Sequence, residues 1–167
     1  MLDHARRPAG FEATGLARVL ERVREVSAPG LARSGIRLQV SADPALRPVR
    51  ADAGQLEMAL LNLVTNARDA MVDGGVLSIT ATATATGARV EVADTGPGIA
   101  PTVLDRIFEP WVTTKRSGQG TGLGLAIVRD VVRAHGGSVA AYNRSPGAVF
   151  VIDIPDAPSL DESTQES

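Results

Sequence analysis

The segments 76-VLSITATATA-85 and 88-ARVEVAD-94, joined around Gly87, constrain the fold more than any other part of the chain. Apolar and polar residues alternate along them, which is the pattern of strands with one dry face and one wet face. So short a join makes the two strands antiparallel neighbours. A sheet of this kind needs cover on one side only, so the amphipathic segments elsewhere must supply helices to a single face.

Those segments can be read in order. Leu16, Val19, Leu20, Val23 and Val26 recur at helical spacing within 15–33, and Pro29-Gly30 is expected to disturb the end of that helix. Ile36, Leu38 and Val40 alternate as a strand, Asp43-Pro44 turns the chain, and 48–50 reads as a short edge strand. Asp52 is placed to N-cap a helix that runs to about Met71 and buries Leu56, Leu60, Leu63, Val64 and Ala67. After the hairpin, 95–120 is rich in glycine and proline and too long for an ordinary connection. A helix over 121–135 stops at Gly136-Gly137, and strands 138–143 and 148–154 follow. The order predicts an α+β fold: a two-layer α/β sandwich whose mixed, mostly antiparallel sheet carries helices on one face.

Composition narrows the function classes. A chain of 167 residues can bury a single core without staples. A net charge of −2 offers no basic surface for nucleic acid or an anionic membrane. With no cysteine, disulfides and thiolate metal sites are excluded. No apolar run approaches the ~20 residues of a membrane span, so a cytoplasmic location is the default expectation. Aromatic residues make up only 3%, which gives Phe108 and Trp111, both in the irregular segment, unusual weight as anchors for a lid.

Four stretches carry chemistry. In 62-NLVTNARDAM-71, Asn62 and Asn66 share one helix face, although Asn is a mediocre helix former. Their amide oxygens suit Mg²⁺, yet alone they read better as two polar residues on the solvent face. In 94-DTGPGI-99, Asp94 ends a strand before a sharp turn, where a carboxylate can accept from an exocyclic amine; a plain Asp-Gly turn is the bland alternative. In 107-IFEPWVTTK-115, Lys115 offers a point charge for phosphate, or simply a solvated one. Finally, 117-SGQGTGLGLAI-127 spaces glycines ahead of a helix, where main-chain N–H groups converge on an anion. It is not a P-loop, because no Gly-Lys-Ser/Thr follows.

Together, and in this order, the four stretches resemble the N, G1, F and G2 boxes of the catalytic and ATP-binding domain of two-component sensor histidine kinases. The wording is most similar to the nitrogen-regulation type. That domain shares the Bergerat ATP-binding fold with gyrase, heat-shock chaperone and mismatch-repair ATPases. The resemblance spans about 12–155 and implies a mobile ATP lid over 100–120. It implies that Asn66 and Asn62 hold Mg²⁺ and, with Lys115, serve catalysis. It also implies ATP contacts from Asp94, Gly96, Gly98, Ile99, Lys115, Gly120, Thr121, Gly122, Leu123, Gly124 and Leu125, with Leu123 and Leu125 seating the helix on the core.

In gyrase-like ATPases the position matching Asn62 resembles a glutamate that acts as general base for water. Asn cannot take a proton, so the resemblance implies ATP held for transfer and ADP as product. The acceptor histidine is expected on a separate dimerisation and phosphoacceptor domain, with a response regulator as indirect partner. The domain itself is expected to contact neither nucleic acid nor membrane. Of this chain's two histidines, His135 looks structural, and His4 lacks the following acidic residue of a phosphoacceptor motif. Residues 1–14 are expected to be a remnant of a dimerisation helix plus linker, 15–155 the catalytic domain, and 156–167 a disordered tail. Two positions depart from the family pattern. Ala148 stands where many relatives have Thr, and Asp69 where many carry a basic residue, with Arg68 or Arg116 as compensating candidates. A nucleotide-binding pseudokinase and a gyrase-like ATPase are the competing expectations.

Overall fold

The computed structural model describes residues 10–112 and 122–157. In chain order the elements are β1 (Glu12–Thr14), α1 (Leu16–Arg33), β2 (Ile36–Ala42), β3 (Val49–Ala51), α2 (Ala53–Ala70), β4 (Gly75–Ala83), β5 (Gly87–Asp94), α3 (Pro101–Leu104), α4 (Gly124–Ala134), β6 (Ser138–Asn143) and β7 (Ala148–Pro155). Five strands form one sheet in the order β2-β4-β5-β7-β6. Only β2 and β4 run parallel, because β3 and α2 form the crossover between them; the other pairs are antiparallel. This is the expected two-layer α+β sandwich.

Alternation sorts the two faces of the sheet. Leu77, Ile79, Ala81, Val90, Val92, Phe150, Ile152 and Ile154 are buried toward the helices. The other face carries Thr80 opposite Glu91 and Arg89 opposite Asp153. There Arg89 grips the Asp153 carboxylate through two bonds of 2.8 and 3.0 Å, and that partner raises the arginine pKa further. Leu56, Leu60, Leu63, Val64 and Ala67 of α2 are all buried, as the spacing predicts. Each fully buried leucine contributes roughly 1.5–3 kcal/mol to the core.

Several boundaries differ from the sequence expectation for identifiable reasons. Pro29 does not end α1: the helix continues to Arg33, because Leu31 beyond the proline is buried and packing holds the last turn. Val26, counted in the apolar stripe, is 48% exposed. Helix α4 starts at Gly124, not at residue 121, since Gly122 takes a φ of 69° that no helix allows. Glu12–Thr14, expected in a linker, pairs antiparallel with β3, and the Thr14 hydroxyl donates to the Ala51 carbonyl at 3.0 Å. The expected tail begins with order: Asp156 bridges to Val49 and meets Arg47 at 2.6 Å. Residues 158–167 and His4 lie outside the described residues. Among the described residues no helix is long and apolar enough to cross a membrane.

Asp52 begins α2 as expected, its carboxylate accepting from Gln55 N at 3.0 Å. Its own N–H donates to His135 Nε2 at 3.1 Å, while His135 Nδ1 lies 2.6 Å from the Val131 carbonyl. The buried ring therefore carries its proton on Nδ1 and ties the end of α4 to the start of α2. Phe11 packs against it at a tilt of 59°, with centroids 4.7 Å apart. These contacts occupy both ring nitrogens in structural hydrogen bonds.

Candidate functional site

The site assembles where β5 ends beside the C-terminal turns of α2. Asp94, the last residue of β5, is 7% exposed. Its Oδ1 accepts from Gly96 N at 2.9 Å and from Ala148 N at 3.3 Å. Among the described residues both hydrogen bonds to this carboxylate land on Oδ1, which leaves Oδ2 as an acceptor. Next to it, the Thr95 hydroxyl accepts from Val76 N at 3.0 Å and so anchors the turn to the start of β4.

The β6–β7 hairpin closes against this strand end. Gly147 has φ 98°, and a Cβ there would lie only 1.8 Å from the Asp94 carbonyl oxygen. Only glycine permits that approach. Farther along the loop, Asn143 takes the Ile99 N–H on Oδ1 at 2.7 Å and gives Nδ2–H to the Ile99 carbonyl at 2.7 Å. Gly147 and Asn143 were not singled out from the sequence. The signal lay in an asparagine that ends a strand just ahead of 145-SPG-147.

On α2, Asn62, Asn66 and Ala70 fall four residues apart and form one row. Both asparagines are half-buried. The row ends beside the loop: the Ala70 carbonyl lies 3.6 Å from where a Cβ on Gly96 would stand. Asp69 is exposed and lies 3.7 Å from its neighbour Arg68. No group of three or more His, Asp or Glu among the described residues is arranged to hold a metal. The oxygens available to Mg²⁺ here are carboxamides. These suit a cation that keeps most of its shell as water and phosphate oxygen, so the donor set fits the metal.

Helix α4 contributes its N-terminus. Gly122, Leu123, Gly124 and Leu125 lie at the entry to the helix, with Leu125 packed against the core. Among the described residues no side-chain hydrogen bond caps this end, and a Cβ on Gly124 would meet nothing within 4 Å. Glycine at the first position of α4 thus leaves room beside the positive end of the helix, which suits an anion. Lys115, Gly120 and Thr121, with Arg116, lie outside the described residues.

The two aromatics part company. Phe108 packs edge-on against Phe150, with centroids 6.1 Å apart, and does anchor the segment. Trp111 does not: its side chain is 73% exposed, and it is the main chain at φ 68° that makes its contact, through Trp111 N to the Gly122 carbonyl.

Among the described residues the arrangement thus combines a buried carboxylate with one oxygen left to accept, a glycine loop, a row of two carboxamides and a helix N-terminus without a side-chain cap. Residues 51–158 match the family of histidine kinase-, DNA gyrase B-, and HSP90-like ATPases. The two-component sensor PprA of Pseudomonas aeruginosa is 41% identical over 133 residues, covering 75% of this chain and 14% of that protein. The sensor histidine kinase ZraS of Escherichia coli K12 is 41% identical over 121 residues, covering 72% of this chain and 26% of that protein. The chain therefore spans only a small part of these longer relatives. Among solved structures, the catalytic domain of histidine kinase ThkA superposes with a TM-score of 0.80 at 33% identity, covering 89% of this chain and 99% of that one.

Proposed function

Since the chain belongs to the histidine kinase-, DNA gyrase B- and HSP90-like ATPase family, as a histidine-kinase catalytic domain, we propose that it binds ATP with Mg²⁺ and presents the γ-phosphate to a histidine on a separate dimerisation and phosphoacceptor domain. Asp94 Oδ2 accepts from the adenine amino group, and Gly96, Gly98 and Ile99 shape the pocket around the base. Asn66 and Asn62 hold Mg²⁺, which neutralises triphosphate charge when bound. Gly120, Thr121, Gly122, Leu123, Gly124 and Leu125 bring the chain and the N-terminus of α4 to the phosphates, with Lys115 as a further cation. Residues 100–120 act as the lid.

The observation that carries this reading is the row Asn62–Asn66–Ala70 ending at the Asp94 loop. The two polar side chains on that row are carboxamides and not carboxylates, and the row ends beside the loop read as the adenine subsite. Water is therefore poorly activated, and the bound triphosphate awaits a nucleophile from elsewhere. In the transfer, an imidazole nitrogen of the acceptor bonds to the γ-phosphorus as its bond to the β-phosphate oxygen breaks, leaving ADP. A response regulator then takes the phosphoryl group from that histidine. The wording of the four motifs supports reading the parent protein as a sensor of the nitrogen-regulation type, and we take this domain to act in the cytoplasm.

The test adds a dimerisation segment from a matching kinase to this chain with γ-labelled ATP and Mg²⁺. Label on the segment's histidine supports the reading, and its absence despite measurable ATP binding rejects the transfer role. Calorimetry with ATP and ADP checks binding separately: no heat with either nucleotide rejects the site.

A further inference from the structure

One hairpin grips the adenine loop at both of its ends. At the loop's start, Ala148 N donates to Asp94 Oδ1, and Gly147 lies against the Asp94 main chain. At its end, Asn143 clasps Ile99 through two hydrogen bonds of 2.7 Å. Strand pairing between β6 and β7 stops at Asn143 opposite Ala148. Beyond that point the Asn143 side chain does what a neighbouring strand would do, accepting from one main-chain N–H and donating to the C=O of the same residue. Only one orientation of the carboxamide satisfies both bonds. The fit extends to Gly98, at φ 82°, where a Cβ would stand 2.8 Å from Asn143 Oδ1.

We propose that Asn143 is a positioning residue for the adenine subsite, setting the span from Asp94 to Ile99 so that the Asp94 carboxylate and the loop main chain meet the base edge in register. The proposal rests on the reading of this site as an ATP site. Asn143 itself touches no nucleotide; it acts through Ile99. Its chemistry is specific. Asp in its place keeps the acceptor but sets a carboxylate oxygen against the Ile99 carbonyl, and Leu keeps the volume while losing both bonds. Because register at the base edge decides base discrimination, the clasp bears on adenine recognition and not on phosphate recognition.

The experiment measures affinities of the full chain for ADP, ATP, GTP and Mg²⁺–tripolyphosphate by calorimetry, alongside thermal midpoints, in the unmodified protein, Asn143→Asp and Asn143→Leu. The expected result for Asn143→Leu is about tenfold weaker ADP and ATP binding, the scale of two lost hydrogen bonds. The preference for ATP over GTP falls with it, tripolyphosphate affinity does not change, and Asn143→Asp lies between. Unchanged ADP affinity and an unchanged ATP-to-GTP ratio overturn the proposal. Equal weakening of all four ligands with a lowered midpoint also overturns it, since that marks a merely structural contact. If the unmodified chain binds no nucleotide, the ATP reading itself falls and the clasp falls with it. If the chain binds ADP and the Leu variant binds it equally well, only the clasp is overturned.

Discussion

Trp111 donates its main-chain N–H to the Gly122 carbonyl at 2.9 Å, and a Cβ on Gly122 would stand 2.7 Å from the Trp111 Cα. The two residues hold nearly equal positive φ values, 68° and 69°. Together they fasten the point where the chain leaves the Phe108 anchor to the point where it enters α4.

Gly122→Ala breaks that fastening twice over. Left-handed geometry costs a residue with a Cβ about 1–2 kcal/mol, and the close approach to Trp111 adds to it. We expect ATP affinity to fall at least several-fold, measured by calorimetry, while circular dichroism keeps its native form. Wild-type affinity in this variant would show that the fastening does not set the phosphate end of the site.

Gly147→Ala tests the opposite side. Its Cβ has no room against the Asp94 carbonyl, so strand β5 or the hairpin must shift. Urea unfolding is expected to show a loss of more than about 2 kcal/mol in stability, as backbone strain and steric overlap act together.

Asp94→Asn isolates the proposed adenine contact. An amide keeps an oxygen to accept from Gly96 and Ala148 but turns an NH₂ toward the base, where a donor faces a donor. ADP affinity is expected to drop at least about tenfold, the scale of one charge-assisted hydrogen bond. The thermal midpoint of the nucleotide-free protein stays close to that of the unmodified chain. Retained ADP affinity counts against the pocket.

Asn62→Glu tests the proposal that a missing base leaves ATP held for transfer. A carboxylate on the same helix row can take a proton from water where the carboxamide cannot. Phosphate release from ATP without an acceptor is expected to rise about tenfold or more, on the scale of general-base catalysis. An unchanged rate would place the block on hydrolysis elsewhere in the site.

Most of the architecture was legible from residue order. Strand alternation and helical spacing report which face of each element is apolar, and that property survives into the tertiary structure. The α2 stripe and the hairpin β4–β5 therefore emerge with nearly the expected bounds. The motif residues Asp94, Gly96, Gly98 and Ile99 are neighbours in sequence, so their grouping needed no long-range information. What only tertiary structure decided are contacts between distant segments. The 18-residue α1 passes through Pro29 because buried Leu31 outweighs a lost hydrogen bond. Glu12–Thr14 becomes a strand because β3 offers it an edge. Asn143 and Gly147 join the site because β6–β7 folds against the end of β5. Periodicity records a residue's preference for core or solvent, but not which other segment will arrive beside it. That choice is made by packing, in steric fits as close as the one between Gly147 and Asp94.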